Sequence, residues 1–513
     1  MAGDGSGLPH GFWSGLDVAR AQELIAGAHV PPRSAALHDL WRRLWSSAAV
    51  EAPSAGKGDP TYPALRVEAL YRSGLVADLD GALKDMRPDA ADPTLALLVA
   101  RSRIALGDRN AGCPGVKAVH RAQSGLPKPL RSELLVLAGL CGAGNGDAAA
   151  AGLAAELLRT EGVAAPLALA ALDHQSSGAK EPPSLTLPKR ASLLDYRFLE
   201  LAGWRPTPDL VAVAEPPLLA VLATVAKDPA TRLAAGESAA RLHALSPSEL
   251  AGVYRAYPFP PEVLAEPLAA RVDPALKRAL LFRAAEGERT PMKRSRLVRA
   301  LFDDARRIGL HFETAAMLGQ TVADMQPAPE IGWFAETAAE VSLAARRYDK
   351  AVQWSEAASG DRGSLLHWLV LADIADPNWR GRRGASLAHV EQLAVRGRLA
   401  PELMHRLVTV LDALDYQIPI PLWEAASRTP QPSSGHLPET GVLSQLADAA
   451  KRREPARTVL LAMRTLGPDG ADAAHMIALG DAIRALKRAG LEAEARRLGL
   501  EALFPAWPRT ASH

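Results

Sequence analysis

Few residues in this 513-residue chain stand at spacings that do chemistry. Ser177-Gly178-Ala179-Lys180 has the S-x-x-K spacing in which a lysine activates a serine, but the partner motifs of such enzymes are missing and the stretch reads as a loop. Ala55-Gly56-Lys57-Gly58 carries a Gly-Lys pair. It lacks the earlier glycine, the following Ser/Thr and the preceding strand of a phosphate-binding loop. Gly142-Ala143-Gly144-Asn145-Gly146 reads as a flexible turn between helices. The 13 histidines are scattered, with no HExxH and no Cys/His pair at zinc spacing. His367, beside Trp368 in an apolar run, reads as a packed core histidine, and Asp303-Asp304 as a solvated helix face. No catalytic, cofactor-binding or metal residue is assigned.

Two features remain. Cys113 and Cys141 each lie 14 residues from a turn near Pro127. In an antiparallel helix hairpin, equal distances from the turn place two residues at one height, within bridging range. In a reducing compartment they read as two buried small residues. In an exported chain they read as a disulfide. The second feature is basic. Arg283, Arg289, Lys293, Arg294, Arg296, Arg299, Arg306 and Arg307 form one cluster, and Arg380, Arg382, Arg383, Arg396 and Arg398 another. Lys293, Arg294 and Arg296 with the second cluster are the candidate patch for an anionic partner on a concave helical surface. The bland alternative is a solvated face with Glu and Asp nearby.

The elements that must position these residues are helices. In Thr290–Ile308, Thr290 can cap and Pro291 suits the first helical position. Leu297, Val298, Leu301, Phe302, Ala305 and Ile308 recur at three- and four-residue steps, and Gly309 closes the run. The same grammar gives helices at Leu16–Ala28, Ala35–Ser47, Tyr62–Ser73, Asp78–Met86, Pro93–Leu106, Pro114–Gln123, Leu130–Cys141 and Ala148–Glu161. Strand-like runs are almost absent. The expected fold is all-α, an α-solenoid of stacked antiparallel helix pairs. Two stretches have tetratricopeptide-like spacing: Ala339, Tyr348, Ala351 and Ala358 within Trp333–Ala358, and Gly490, Ala495, Ala502 and Pro505 within Leu479–Pro505. Loops fall at Ala52–Pro60, Gln175–Pro188, Tyr257–Pro261 and Arg428–Gly441. The expected segments are 1–180, 181–430 and 431–513, the last a linker plus a helical unit from Val442 to Trp507.

The stretches LPHGFWSGLDVARAQELI, VARSRIALGDRNAGC, LPKRASLLDYRFLELAG and ALLFRAAEGERTPMKRSRLVRAL resemble an uncharacterised family of Ala/Leu-rich helical-repeat proteins from alphaproteobacteria. Some members of that family carry the label "antifreeze". Ice binding wants regular flat arrays, whereas the alanines here are irregular and core-facing. The chain is also similar in pattern to the superhelical domains that precede lytic transglycosylase catalytic domains. The 513 residues hold no such catalytic domain, so the likeness implies shape and no active site.

Composition narrows the function. With 59 basic and 57 acidic residues the net charge is +2, which gives no whole-protein field to draw nucleic acid or an anionic membrane. No apolar run approaches the ~18 residues of a membrane span. The start, MAGDGSGLPHGFW, has no basic or apolar leader region, so the expectation is cytoplasmic, with a periplasmic alternative if the true start lies upstream. The expected function is a non-enzymatic scaffold that binds a protein or peptide, without nucleic acid or cofactor. The alternatives are an envelope-associated accessory module and an enzyme with an unrecognised site. The last would need a deep pocket with convergent ionisable groups.

Overall fold

The protein is described by a computed structural model covering residues 8–9, 11–47, 53–54, 61–86, 92–179, 181, 185–357 and 365–509. Ala55–Gly58, Lys180 and Ala358 lie outside these residues. Among the described residues there are 28 α-helices, three short 3-10 helices, and two isolated β-bridges in place of any sheet. The fold is all-α, and consecutive helices pack on one another in the manner of a solenoid-like fold.

Local chemistry explains where the helices begin. Asp17, Ser34, Thr61, Asp92, Asp108, Asp147 and Asp228 each accept a backbone N–H from the first turn. Ser192 with Asp195, and Ser246 with Glu249, form reciprocal capping boxes. Proline occupies the first helical position at Pro93, Pro216, Pro274 and Pro291, where its missing N–H costs nothing. The Pro291–Arg307 helix buries Leu297, Val298, Leu301, Phe302 and Ala305, the stripe read from spacing. Gly309 follows at φ 73°. The Thr290 hydroxyl, in contrast, makes no cap. The Glu288 carboxylate instead accepts the Arg289 and Thr290 N–H groups, at 2.9 and 2.8 Å.

One helix is misplaced by the sequence reading. Pro114 does not open it. Asp108 caps it, and it runs Arg109–His120 with Pro114 inside.

The chain divides into two compact units. One is the continuous stretch Ser54–Leu245, and the other combines Met1–Pro53 with Ser246–His513. The continuous unit packs Pro93–Ala105 on Arg109–His120, Lys128–Gly144 on Ala148–Thr160, and Pro216–Val225 on Pro229–Arg241. Leu97, Ile104, Leu134, Leu137, Leu172 and Phe198 lie in its core.

The other unit is completed by its own N-terminal segment. Ala35–Ser46 packs on Glu492–Leu503, and Val18–Ala26 on Pro455–Leu466. A ladder of polar contacts joins the first pair. The Glu501 carboxylate accepts from Ser34 Oγ at 2.6 Å and from the Ala36 N–H at 2.5 Å. Arg497 reaches Asp39 at 2.8 Å, and Arg43 reaches Glu494 at 2.5 Å. Positions rise along one helix as they fall along the other, so the two run antiparallel. Residues 428–441 belong to the same unit: the His436 N–H donates to Ala473 O, and the His475 N–H to His436 O.

Candidate functional site

The eight basic residues of the candidate patch do not behave alike. Arg383 is a structural residue. It donates to the Asp373 and Asp376 carbonyls and, at 3.1 Å, to that of Pro377. Asp373 is buried at the end of an apolar helix. Its carboxylate also accepts from the Gly384 N–H and Ser386 Oγ, both at 2.9 Å, and from Tyr416 Oη at 3.0 Å. A buried carboxylate must have such partners, and Arg383 is one of them. Lys293 donates to Ala265 O at 3.1 Å and lies 3.5 Å from Glu288, and Arg294 donates to Glu288 O at 2.5 Å. Arg296, Arg380, Arg382, Arg396 and Arg398 are exposed and make no ion pair with a described residue.

Nearby helices carry exposed apolar groups. The Leu387–Val395 and Ile420–Ser427 helices pack on each other. Val395 is 69%, Ile420 71% and Trp423 47% exposed, each far above what a core residue shows.

Asp303 and Asp304 are not a solvated face. Asp304 pairs with Arg278 at 2.7 Å and Arg307 at 2.6 Å, and these guanidinium groups hold its carboxyl below the usual range against the opposing effect of burial. Asp303 pairs with Arg509 at 3.1 Å. Sequence spacing along one helix cannot show partners that arrive from other elements.

A buried polar cluster surrounds this point. Glu340 is fully buried, with Arg306 on one carboxylate oxygen and Arg509 2.9 Å from the other. Burial pushes its carboxyl up to about 7, although Arg509 and Arg306 oppose this. Arg306 also donates to Pro505 O at 3.0 Å. His367 is buried as expected, with Nε2 3.0 Å from Pro508 O and its ring stacked on Trp507. Together these contacts hold the segment Phe504–Arg509 in place.

Ser177 ends a helix, where its exposed hydroxyl donates to His174 O at 2.9 Å. The glycine-rich stretch is not a turn over its full length: the Lys128–Gly144 helix runs through Gly142 and Gly144. A Cβ on Gly142 would meet the Ala150 Cβ at 3.0 Å, so glycine permits the close approach of the next helix. Cys113 and Cys141 are joined by a disulfide, with Cα atoms 5.7 Å apart. Among the described residues no group of three or more His, Cys, Asp and Glu could hold a metal ion. None of the described helices is long and apolar enough to cross a membrane.

The continuous unit contains a polar cavity of about 330 Å3, lined by Gly107, Arg109, Gly144, Arg197, Glu200 and Leu201. Arg197 is fixed by its Nε donating to Ala105 O at 2.7 Å and by an ion pair with Glu200. Arg109 is the exposed first residue of its helix, and its guanidinium makes no hydrogen bond or ion pair with a described residue. Neither arginine stood out in the sequence, because they lie in separate helices and belong to no motif.

No family model, no curated protein and no solved structure matches the chain.

Proposed function

We propose that this protein is a non-enzymatic helical-repeat scaffold that binds a protein or peptide segment bearing acidic and apolar residues. The observation that carries this reading is the exposure of Val395, Ile420 and Trp423 on two packed helices, with Arg396 and Arg398 open beside Val395 in the chain. Large aromatic and aliphatic groups with open arginines suit a binding surface, since Trp and Arg dominate hot spots. The acidic character of the partner follows from charge complementarity. The tetratricopeptide-like reading is supported by burial of the small residues Ala339, Ala351, Ala495 and Ala502.

The test is site-specific photocrosslinking from position 423, using full-length protein in a native lysate. A discrete adduct is expected. Ile420→Ser should weaken its formation about tenfold or more, and an acidic amphipathic peptide should compete with it. A folded protein that gives no adduct, or one indifferent to Ile420→Ser and to the peptide, would remove the reading.

A second reading, the envelope-associated accessory module, is favoured by the Cys113–Cys141 disulfide, because such bonds persist in oxidising compartments. Alkylation of thiols in intact cells distinguishes the two settings. Blocked cysteines support export, and alkylated cysteines support the cytoplasm.

A further inference from the structure

The cavity of the continuous unit has the chemistry of an anion site. Its charged lining is Arg109, Arg197 and Glu200, which leaves one positive charge in excess. The Arg197 Nε and Nη1 are engaged by Ala105 O and Glu200. Its Nη2 faces the turn at Gly107, and a Cβ built there would lie 3.3 Å from it. Arg109 lies across Gly144, where a Cβ would overlap its guanidinium. Two glycines thus make room for two guanidinium groups at one cavity, and Gly107 also holds φ 99°, which L side chains rarely adopt.

Planar guanidinium groups bind carboxylate and phosphate oxygens through paired, charge-assisted hydrogen bonds. The exposed Arg109 guanidinium has all of its donors unused by described residues. The disulfide stands beside it. Cys113 is one helical turn beyond Arg109, and Cys141 one turn before Gly144, so the bond fixes the two cavity walls that Arg109 bridges. A volume near 330 Å3 is at the lower end of the ~300–1,000 Å3 typical of small-molecule sites.

We infer that Arg109 and Arg197 form a binding site for the oxyanion group, phosphate or carboxylate, of a small molecule. This site is independent of the partner surface at Val395, Ile420 and Trp423.

The test uses the full oxidised chain and calorimetric titration at constant ionic strength. One arm uses inorganic phosphate, and the other succinate. Saturable one-site binding in either arm is expected, and the arm that responds identifies the oxyanion. Arg109→Ala should weaken binding about tenfold or more. Gly144→Ala, which displaces the Arg109 guanidinium without removing charge, should weaken it in the same direction. Arg380→Ala, an equal charge change in the other unit, should leave it unaltered. Circular dichroism on each variant separates loss of binding from loss of fold. The absence of saturation in both arms overturns the inference. So does equal weakening by Arg109→Ala and Arg380→Ala, or full binding by a folded Arg109→Ala variant.

Discussion

His311 shows what burial does to a single side chain. Both of its ring nitrogens are buried without a hydrogen-bond partner, and the ring stacks on Phe504 with centroids 5.8 Å apart. Desolvation pushes its pKa from 6.5 down to about 4, opposed by Glu313 and aided by Arg306. The unfolded chain therefore binds the proton more readily than the folded one. Stability is present in full above pH 6.5 and is lost as pH falls toward 4. His311→Phe should remove about 2–3 kcal/mol of that acid sensitivity, seen as a flatter dependence of unfolding free energy on pH between 7 and 4. An unchanged slope would show that His311 takes up its proton equally in the folded and unfolded states. At this scale the sequence was a partial guide. His367 is legible from its apolar neighbours, because the chain beside it supplies the environment. Arg382 and Arg383 are not separable by type, since only the buried Asp373 decides which one is held.

Helices were the most legible elements, because caps and apolar stripes are local. The Pro93–Ala105 and Ala148–Thr160 helices end within a residue of their expected limits. Pro114 misled the reading, since an interior proline and an N-terminal proline look alike until Asp108 is recognised as the cap. The equal spacing of Cys113 and Cys141 about Pro127 gave their height on the hairpin, but bonding depends on compartment, which spacing does not carry. The disulfide closes a loop across a separation of 28 residues. Chain entropy gives such a loop ~3–4 kcal/mol of stabilisation. The Cys113→Ser, Cys141→Ser double variant should show this loss in denaturant unfolding, and reductant should bring the parent protein to the same midpoint. A reductant-insensitive midpoint would mean that the bond adds nothing to the fold.

At the scale of the whole molecule the division was not legible. The partners of Ser34 and Ala36 lie on Glu501, and no local pattern predicts a contact across 467 positions. Neither breakpoint, Pro53/Ser54 or Leu245/Ser246, carries the longest proline-rich stretch. Two units imply two unfolding transitions. Glu501→Ala leaves Ser34 Oγ and the Ala36 N–H buried without their acceptor. It should lower the transition of the discontinuous unit by ~2–3 kcal/mol and spare the one that contains the disulfide. Scanning calorimetry distinguishes this from a uniform shift, which would make the chain a single cooperative body.

The same topology sets an order of events on the ribosome. The Ala35–Ser46 helix is made early, but Glu501 emerges 467 residues after Ser34. At ~5–20 residues per second this is a wait of roughly 20–90 s. The continuous unit has all of its sequence by Leu245 and can fold meanwhile. Throughout that interval Ser34, the Ala36 N–H, Asp39 and Arg43 lack their partners on the Glu492–Leu503 helix. The nascent chain thus keeps one face of the Ala35–Ser46 helix open to chaperones until the Glu492–Leu503 helix is translated.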